Sequence, residues 1–425
     1  MIKKLLVIDN NMASESVQKN RGLELSLKTD TKPFETNYNT YAFNKSLIYY
    51  LTPPDEYKLL RTFVIVDFAK GEKKYYSLYL PKNKEKLQHY PTEELAKEAH
   101  EPHHAIQTSE GNIYVFMYKN GNFLYNLDLK NEIARIITIN DLGLHELKRI
   151  GDTFFIDSDK IYLSGYTRFK EIWKTKLYEA TLDLKNIQEI GEYEMNSPHA
   201  PHTTLHHKGI LMNVHMRDSD LIVYNIAKNQ TTRYQTSGCV AGHIERSKDY
   251  IYVSNHNFKR AKGGNGLEFI APAGIDKYMV QEKKLVHKGY FQDPRGFRFT
   301  SHKIFTFERE EYAVTVGQPN RLFVIDTENM SLIHYDVIGK DWFPENEDPR
   351  RYLNDNQFHM KDMIRPVEVS QNGEYILLIS YSYIIMYNFQ KRKVTKVLKI
   401  NDDIEICHKI NLKDYKLNTS HTNFI

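Results

Sequence analysis

Short strands recur along this chain at a spacing that few architectures can absorb. Ile113-Tyr114-Val115-Phe116-Met117, Ile161-Tyr162-Leu163-Ser164, Ile251-Tyr252-Val253-Ser254 and Tyr375-Ile376-Leu377-Leu378 each follow a polar turn, such as Ser109-Glu110-Gly111-Asn112 or Gln371-Asn372-Gly373-Glu374. Each unit then has a second run of one kind, as in Phe123-Leu124-Tyr125-Asn126-Leu127, Leu221-Ile222-Val223-Tyr224-Asn225, Leu322-Phe323-Val324-Ile325-Asp326 and Ile384-Ile385-Met386-Tyr387-Asn388. Alternating aromatic and β-branched residues between Asn, Gly, Asp and Lys turns are the signal of an all-β chain.

The full unit is strand, polar turn, aromatic strand, turn, strand, basic turn and an outer strand such as Ala134-Arg135-Ile136-Ile137-Thr138-Ile139. Four strands repeated about every 40 to 50 residues mark propeller blades. Units fall near 39–82, 101–140, 147–194, 199–236, 240–289, 293–338 and 364–400. On this repeat the chain resembles seven-bladed β-propellers of the YVTN and WD40-like kind. The resemblance implies four-stranded antiparallel blades around a central channel. The Gly-His and Trp-Asp signature of true WD40 repeats is not present, so no adaptor role is carried over. The expected organisation is an N-terminal segment over 1–38, a propeller over 39–400 and a C-terminal segment over 401–425. Leu5 to Asp9 could close the last blade as an extra strand.

Three stretches break the repeat: 91–100, with a short helix expected at Glu93-Glu94-Leu95-Ala96-Lys97-Glu98; the basic, glycine-rich 258–266; and the polar 341–362. Loops on a rigid scaffold are where sites concentrate.

The charge balance excludes several classes of partner. The 58 Lys and Arg against 54 Asp and Glu leave a net +4 over 425 residues, and the basic residues are spread among acidic ones. No nucleic-acid partner is expected from that distribution. No window has the roughly 18 to 20 uncharged apolar residues of a membrane span. The first apolar run is too short for a secretory core. Cys239 and Cys407 are the only cysteines, so no disulfide framework exists and a cytoplasmic location is expected. His145-Glu146-Leu147-Lys148-Arg149 fails the zinc-protease pattern at its last position, Lys262-Gly263-Gly264-Asn265-Gly266 is not a Walker loop, and no GxSxG elbow occurs.

The informative residues are histidines. Aligning the units places His103, His202, His243, Arg295 and Arg365 near the start of the innermost strand, which in a propeller rings one mouth of the channel. Imidazoles at one point suit a transition metal such as Fe, Zn, Mn or Cu, with His103, His202 and His243 as ligands. Arg295 and Arg365 would then hold a small anionic ligand bidentately. His103 and His104 are neighbours, and alternation lets only one face inward; His104 stands as the substitute and as a candidate catalytic group. Tyr41, near the first inner strand, is a candidate proton donor. The same placing of axial histidines is what the chain shares with carotenoid oxygenases and the selenium-binding family.

The plainer account is that the histidines cap strands and bond to backbone. His215 and His256, at matching places toward the ends of second strands in neighbouring units, could form a second pair, but the plainer account makes them surface or turn residues. Cys239, four residues before His243, is read as a lone buried thiol. The functional expectation is a His/Arg-lined pocket for a small anionic or oxygen-rich ligand, open to metal-dependent lyase, hydrolase or oxidase chemistry. The alternative is a non-enzymatic propeller binding a protein or a glycan.

Overall fold

The computed structural model describes residues 23–33, 47–52, 59–67, 72–79, 102–108, 112–117, 123–128, 131, 133–151, 155–157, 159–196, 201–216, 220–260, 267–318, 320–338, 364–370, 372–379, 383–399 and 416–417, with backbone alone before 108. Nearly all of these lie in antiparallel strands of a β-propeller. Among the described residues there are six blades, numbered here in chain order: blade I (102–138), blade II (149–195), blade III (203–235), blade IV (241–292), blade V (299–337) and blade VI (365–399). Blade II has a fifth strand, Arg149–Ile150, and blade IV carries a separate hairpin of Phe258–Arg260 and Leu267–Phe269.

The blade count corrects the expected seven. Leu47–Thr52, Leu59–Asp67 and Glu72–Tyr79 do pair in sequence, as the first repeat requires. However, Glu72–Tyr79 also pairs with Leu23–Pro33, which pairs in turn with Ile133–Thr138, the outer strand of blade I. Hydrogen bonding therefore runs without a break from blade I into these strands, giving one nine-stranded sheet rather than a separate blade. Lys416–Leu417 extends its far edge by pairing with Leu47–Thr52. The Leu5–Asp9 closing strand, the 93–98 helix and the 341–362 excursion lie outside the described residues.

Apolar clusters sit between consecutive blades. Tyr114, Leu124 and Ile137 of blade I meet Ile161, Leu163 and Tyr178 of blade II, and Val316, Leu322 and Val324 of blade V meet Ile376, Leu378 and Ile385 of blade VI. A middle strand is thus covered on both faces, so Ile210–His215 and Tyr375–Ile379 are buried throughout instead of alternating in and out. The tyrosines serve these seams. Tyr114 donates to the Leu182 carbonyl at 3.0 Å, Tyr224 reaches back to the Ile190 carbonyl at 2.7 Å, and Tyr252 reaches forward to Glu311 at 2.5 Å. Each ring fills the apolar seam while its hydroxyl is satisfied across it.

In blades II to VI the outer strand ends its sheet among the described residues, leaving one edge without a paired strand. Register shifts between the third and outer strands of blades II, IV, V and VI break that edge, which blunts strand addition from other chains. The inner strands instead line up around the axis. Thr203 Oγ1 donates to the Gly242 carbonyl at 2.7 Å, Lys303 Nζ to Glu245 at 2.6 Å and Ser301 Oγ to the Pro366 carbonyl at 3.2 Å, joining the inner strands of blades III to VI side by side. Among the described residues no helix is long and apolar enough to cross a membrane.

Candidate functional site

In an antiparallel blade the start of the first strand, the end of the second and the start of the third share one face. His202 immediately precedes Thr203–His207, and its backbone N–H donates to the Val214 carbonyl at 2.9 Å. The corresponding part of blade IV is irregular. Ala241 pairs with Asn255 and Ile244 with Val253, so Gly242 and His243 together hold one residue more than the facing strand. Such a bulge turns a side chain out of the regular alternation. A Cβ at Gly242 would overlap the His256 imidazole, so glycine allows the two strands to close here. The connection into this strand is also constrained. Val240 has φ +57°, uncommon for a β-branched residue, and its carbonyl accepts from the His256 N–H at 3.1 Å.

The result is a line of rings. His202 and His243 have centroids 5.0 Å apart, His243 and His256 6.4 Å, and His256 stacks on Phe258 at 5.7 Å. Phe258, Phe269 and Phe297 continue it with separations of 6.2 and 5.6 Å. The Arg298 guanidinium lies over Phe258, 5.8 Å from the centroid. Arg365, the first residue of the inner strand of blade VI, is buried and acts electrostatically on His256.

Burial first, then the Arg298 guanidinium, the electrostatic influence of His202 and the Arg365 guanidinium, push the His256 pKa well below its usual value. His256 is therefore neutral at pH 7, offering one donor and one acceptor nitrogen. Its ring is 3% exposed, and Nδ1 is buried without a hydrogen-bond partner.

The sequence-derived positions fare differently. The His202 and His243 rings lie side by side, and Arg365 acts electrostatically on the neighbouring His256. Arg295 goes elsewhere: its guanidinium makes two bonds to Asp293, at 2.8 and 2.7 Å, and lies 4.0 Å over Tyr335 on the outer strand. Arg298 takes the inward place because it directly precedes Phe299–Phe307, as His202 precedes its own strand. The start of the strand, rather than the preceding turn, is the alignment that finds it. His103 and His104 lie on Pro102–Gln107, where a register shift leaves His103 as the additional residue; their side chains and all of Tyr41 lie outside the described residues.

His256, expected at the surface or in a turn, is instead buried beside His243, because the end of a second strand meets the start of the first. Its counterpart His215 stays within the seam, with Nε2 2.7 Å from the Tyr193 hydroxyl. Cys239 lies 3.8 Å from the Phe258 carbonyl, and burial raises its pKa, which keeps it a thiol rather than a thiolate. His145, which is exposed, bonds to Asn140 at 3.1 Å. Among the described residues no group of three His, Cys, Asp or Glu side chains is placed to hold a metal ion.

No known family profile matches the sequence, and no curated protein matches it. Solved structures share the fold at low identity. A Bacteroides fragilis protein provisionally assigned as a 6-phosphogluconolactonase is 11% identical with a TM-score of 0.49, over 92% of this chain and 100% of its own. The dihydro-heme d1 dehydrogenase NirN, solved with DHE, is 11% identical with a TM-score of 0.45, over 88% and 78%. Sqt1 of Saccharomyces cerevisiae is 9% identical with a TM-score of 0.42, over 60% and 62%.

Proposed function

We propose that this propeller binds a small anion, a carboxylate or phosphate, at the face where blades III to VI begin. The observation that carries this reading is the gathering of Arg298, Arg365 and His202 about the buried, neutral His256. Guanidiniums present planar donor pairs matched to carboxylate and phosphate oxygens. His243, in ring contact with both His202 and His256, completes the donor set.

Isothermal titration with inorganic phosphate and with acetate tests this. A charged hydrogen-bonding partner is worth about 1.5–3 kcal/mol, so Arg298→Gln and Arg365→Gln should each weaken binding about tenfold or more. Affinity unchanged in both variants overturns the proposal, and absence of binding by the wild-type chain leaves a protein- or glycan-binding scaffold in its place.

The contact of His202 with His243 favours a second reading, a transition metal such as Fe, Zn, Mn or Cu held by these two with His103. Elemental analysis of untagged protein, beside a His202→Ala/His243→Ala variant of confirmed fold, decides it. Near-stoichiometric metal that disappears in the variant supports this reading, and no metal in either refutes it.

A further inference from the structure

The Phe258–Arg260 and Leu267–Phe269 hairpin lies within blade IV, between its second and third strands, where the other described blades have no such element. It places Phe258 and Phe269 beside the cationic cluster, and Phe297 joins them from the connection to blade V. All three rings are only partly buried, and Ile270, at the end of the hairpin, is 58% exposed. Partly exposed aromatic surface adjoining a cationic cluster is the pattern of a binding site with two chemistries.

The wall is fixed in place. Ile270 N–H donates to the Asn257 carbonyl at 2.9 Å, and the Asn257 side chain donates to the Pro272 carbonyl at 2.5 Å and to the Tyr290 hydroxyl at 3.2 Å. The Asn257 side-chain oxygen accepts from Cys239 N–H at 2.7 Å, which ties the hairpin base to the connection that feeds the His243 bulge. The apolar wall and the cationic end are therefore held in one geometry, so little ordering cost remains for binding. Arg298 belongs to both, lying over Phe258 while acting on His256.

Building on the anion site above, we infer that its ligand carries an aromatic group beside the anionic one, with Phe258, Phe269 and Phe297 covering the ring while Arg298 and Arg365 hold the charge. A ring against this wall gains buried apolar area and edge-to-face contacts that a bare anion cannot make.

The test compares probes that share a charge and differ in the ring. Phenyl phosphate against inorganic phosphate, and benzoate against acetate, are titrated into the full-length chain by calorimetry. In at least one pair the aromatic probe should bind about tenfold tighter. Phe269→Ala should reduce that ratio to below about threefold, whereas Arg298→Gln should weaken both probes and preserve the ratio. Phe258→Leu, which keeps an apolar side chain for packing, provides the same reading should Phe269→Ala unfold. Equal binding of both probes in both pairs, or a ratio that survives Phe269→Ala and Phe258→Leu, overturns the inference while leaving the anion site intact. Failure of all four probes to bind overturns the anion site and this inference with it.

Discussion

Blades III and IV carry histidines at matching places at the end of the second strand, and the two do opposite work. In blade III the inner strand pairs in unbroken register from Thr203 with Val214 to His207 with Ile210. His215 there ends a chain of buried polar groups: Ser164 with Thr204 at 3.2 Å, Thr204 to Asn213 at 2.8 Å, and Asn213 to Tyr193 at 2.9 Å, before the Tyr193 contact with His215. In blade IV the Gly242-His243 bulge and the left-handed Val240 break the regular pattern, and His256 faces imidazoles and guanidiniums. One additional residue separates a histidine of the seam network from one that faces the proposed anion site. A uniform scaffold acquires a site where its local rules are broken.

The largest expected effect comes from closing the space that makes this difference. Gly242→Ala drives a methyl into the buried His256 ring and should destabilise the protein by about 2–3 kcal/mol, read from urea unfolding, with loss of anion binding. Gly209→Ala, in the first turn of blade III, meets only the flexible Lys283 ammonium and should cost about 1 kcal/mol for its φ of +75°. Equal costs would erase the distinction between the blades.

The blade III network makes the complementary case. Tyr193→Phe removes the hydroxyl shared by Asn213 and His215, which should cost about 1–3 kcal/mol of stability. Anion affinity should stay within about twofold, because this network supports the seam rather than the site. A large loss of affinity at undiminished stability would move His215 into the site.

Acid separates the two blades through their neutral histidines. Burial first, then Lys208 and Arg246, lowers the pKa of His207 on the blade III inner strand to about 4. Since its unfolded value is near 6.5, the unfolded chain takes up a proton that the folded chain refuses between those limits. Stability is therefore complete above about pH 6.5 and falls as the pH drops toward 4, by up to about 1.4 kcal/mol per pH unit for each such group. His256 follows the same sign, with burial as the largest cause and the Arg298 and Arg365 guanidiniums adding to it. His207→Leu should flatten the acid slope by close to one proton whether or not phenyl phosphate is present. Phenyl phosphate should reduce the slope only by the guanidinium share of the His256 effect, because an anion there offsets Arg298 and Arg365 but leaves the ring buried. A ligand effect that disappears in His207→Leu would contradict this assignment.

The all-β class, the blade repeat and the meeting of His202 with His243 were legible because each follows from local pattern plus one topological rule. The blade count was not. Leu23–Pro33 joins Ile133–Thr138 across more than a hundred residues, and neither strand's alternation specifies its partner. His256 escaped because a turn histidine has no periodicity to mark it, and its meaning depends on a bulge in the strand beside it. The Asp293-Pro294 turn marks Arg295 in the repeat, yet that arginine is held by the carboxylate two residues before it, and nothing in the repeat marks Arg298.

That pair of arginines supplies the smallest and most selective prediction. Arg295 is about half exposed and makes a surface ion pair with a cation–π contact, so Arg295→Ala should cost below about 1 kcal/mol, read as a small fall in Tm. Phosphate affinity should be unchanged, whereas Arg298→Gln should abolish most of it at similar stability. The two positions are three residues apart and carry the same charge. A contribution from the overall positive field would therefore weaken binding alike in both variants, while a placed guanidinium weakens it only at Arg298. Salt dependence sharpens the comparison, since screening at an ionic strength of about 0.15 M acts beyond about 8 Å and spares a direct contact. If raising salt mimics Arg298→Gln, the site works by general attraction, and the line of histidines beside it is only packing.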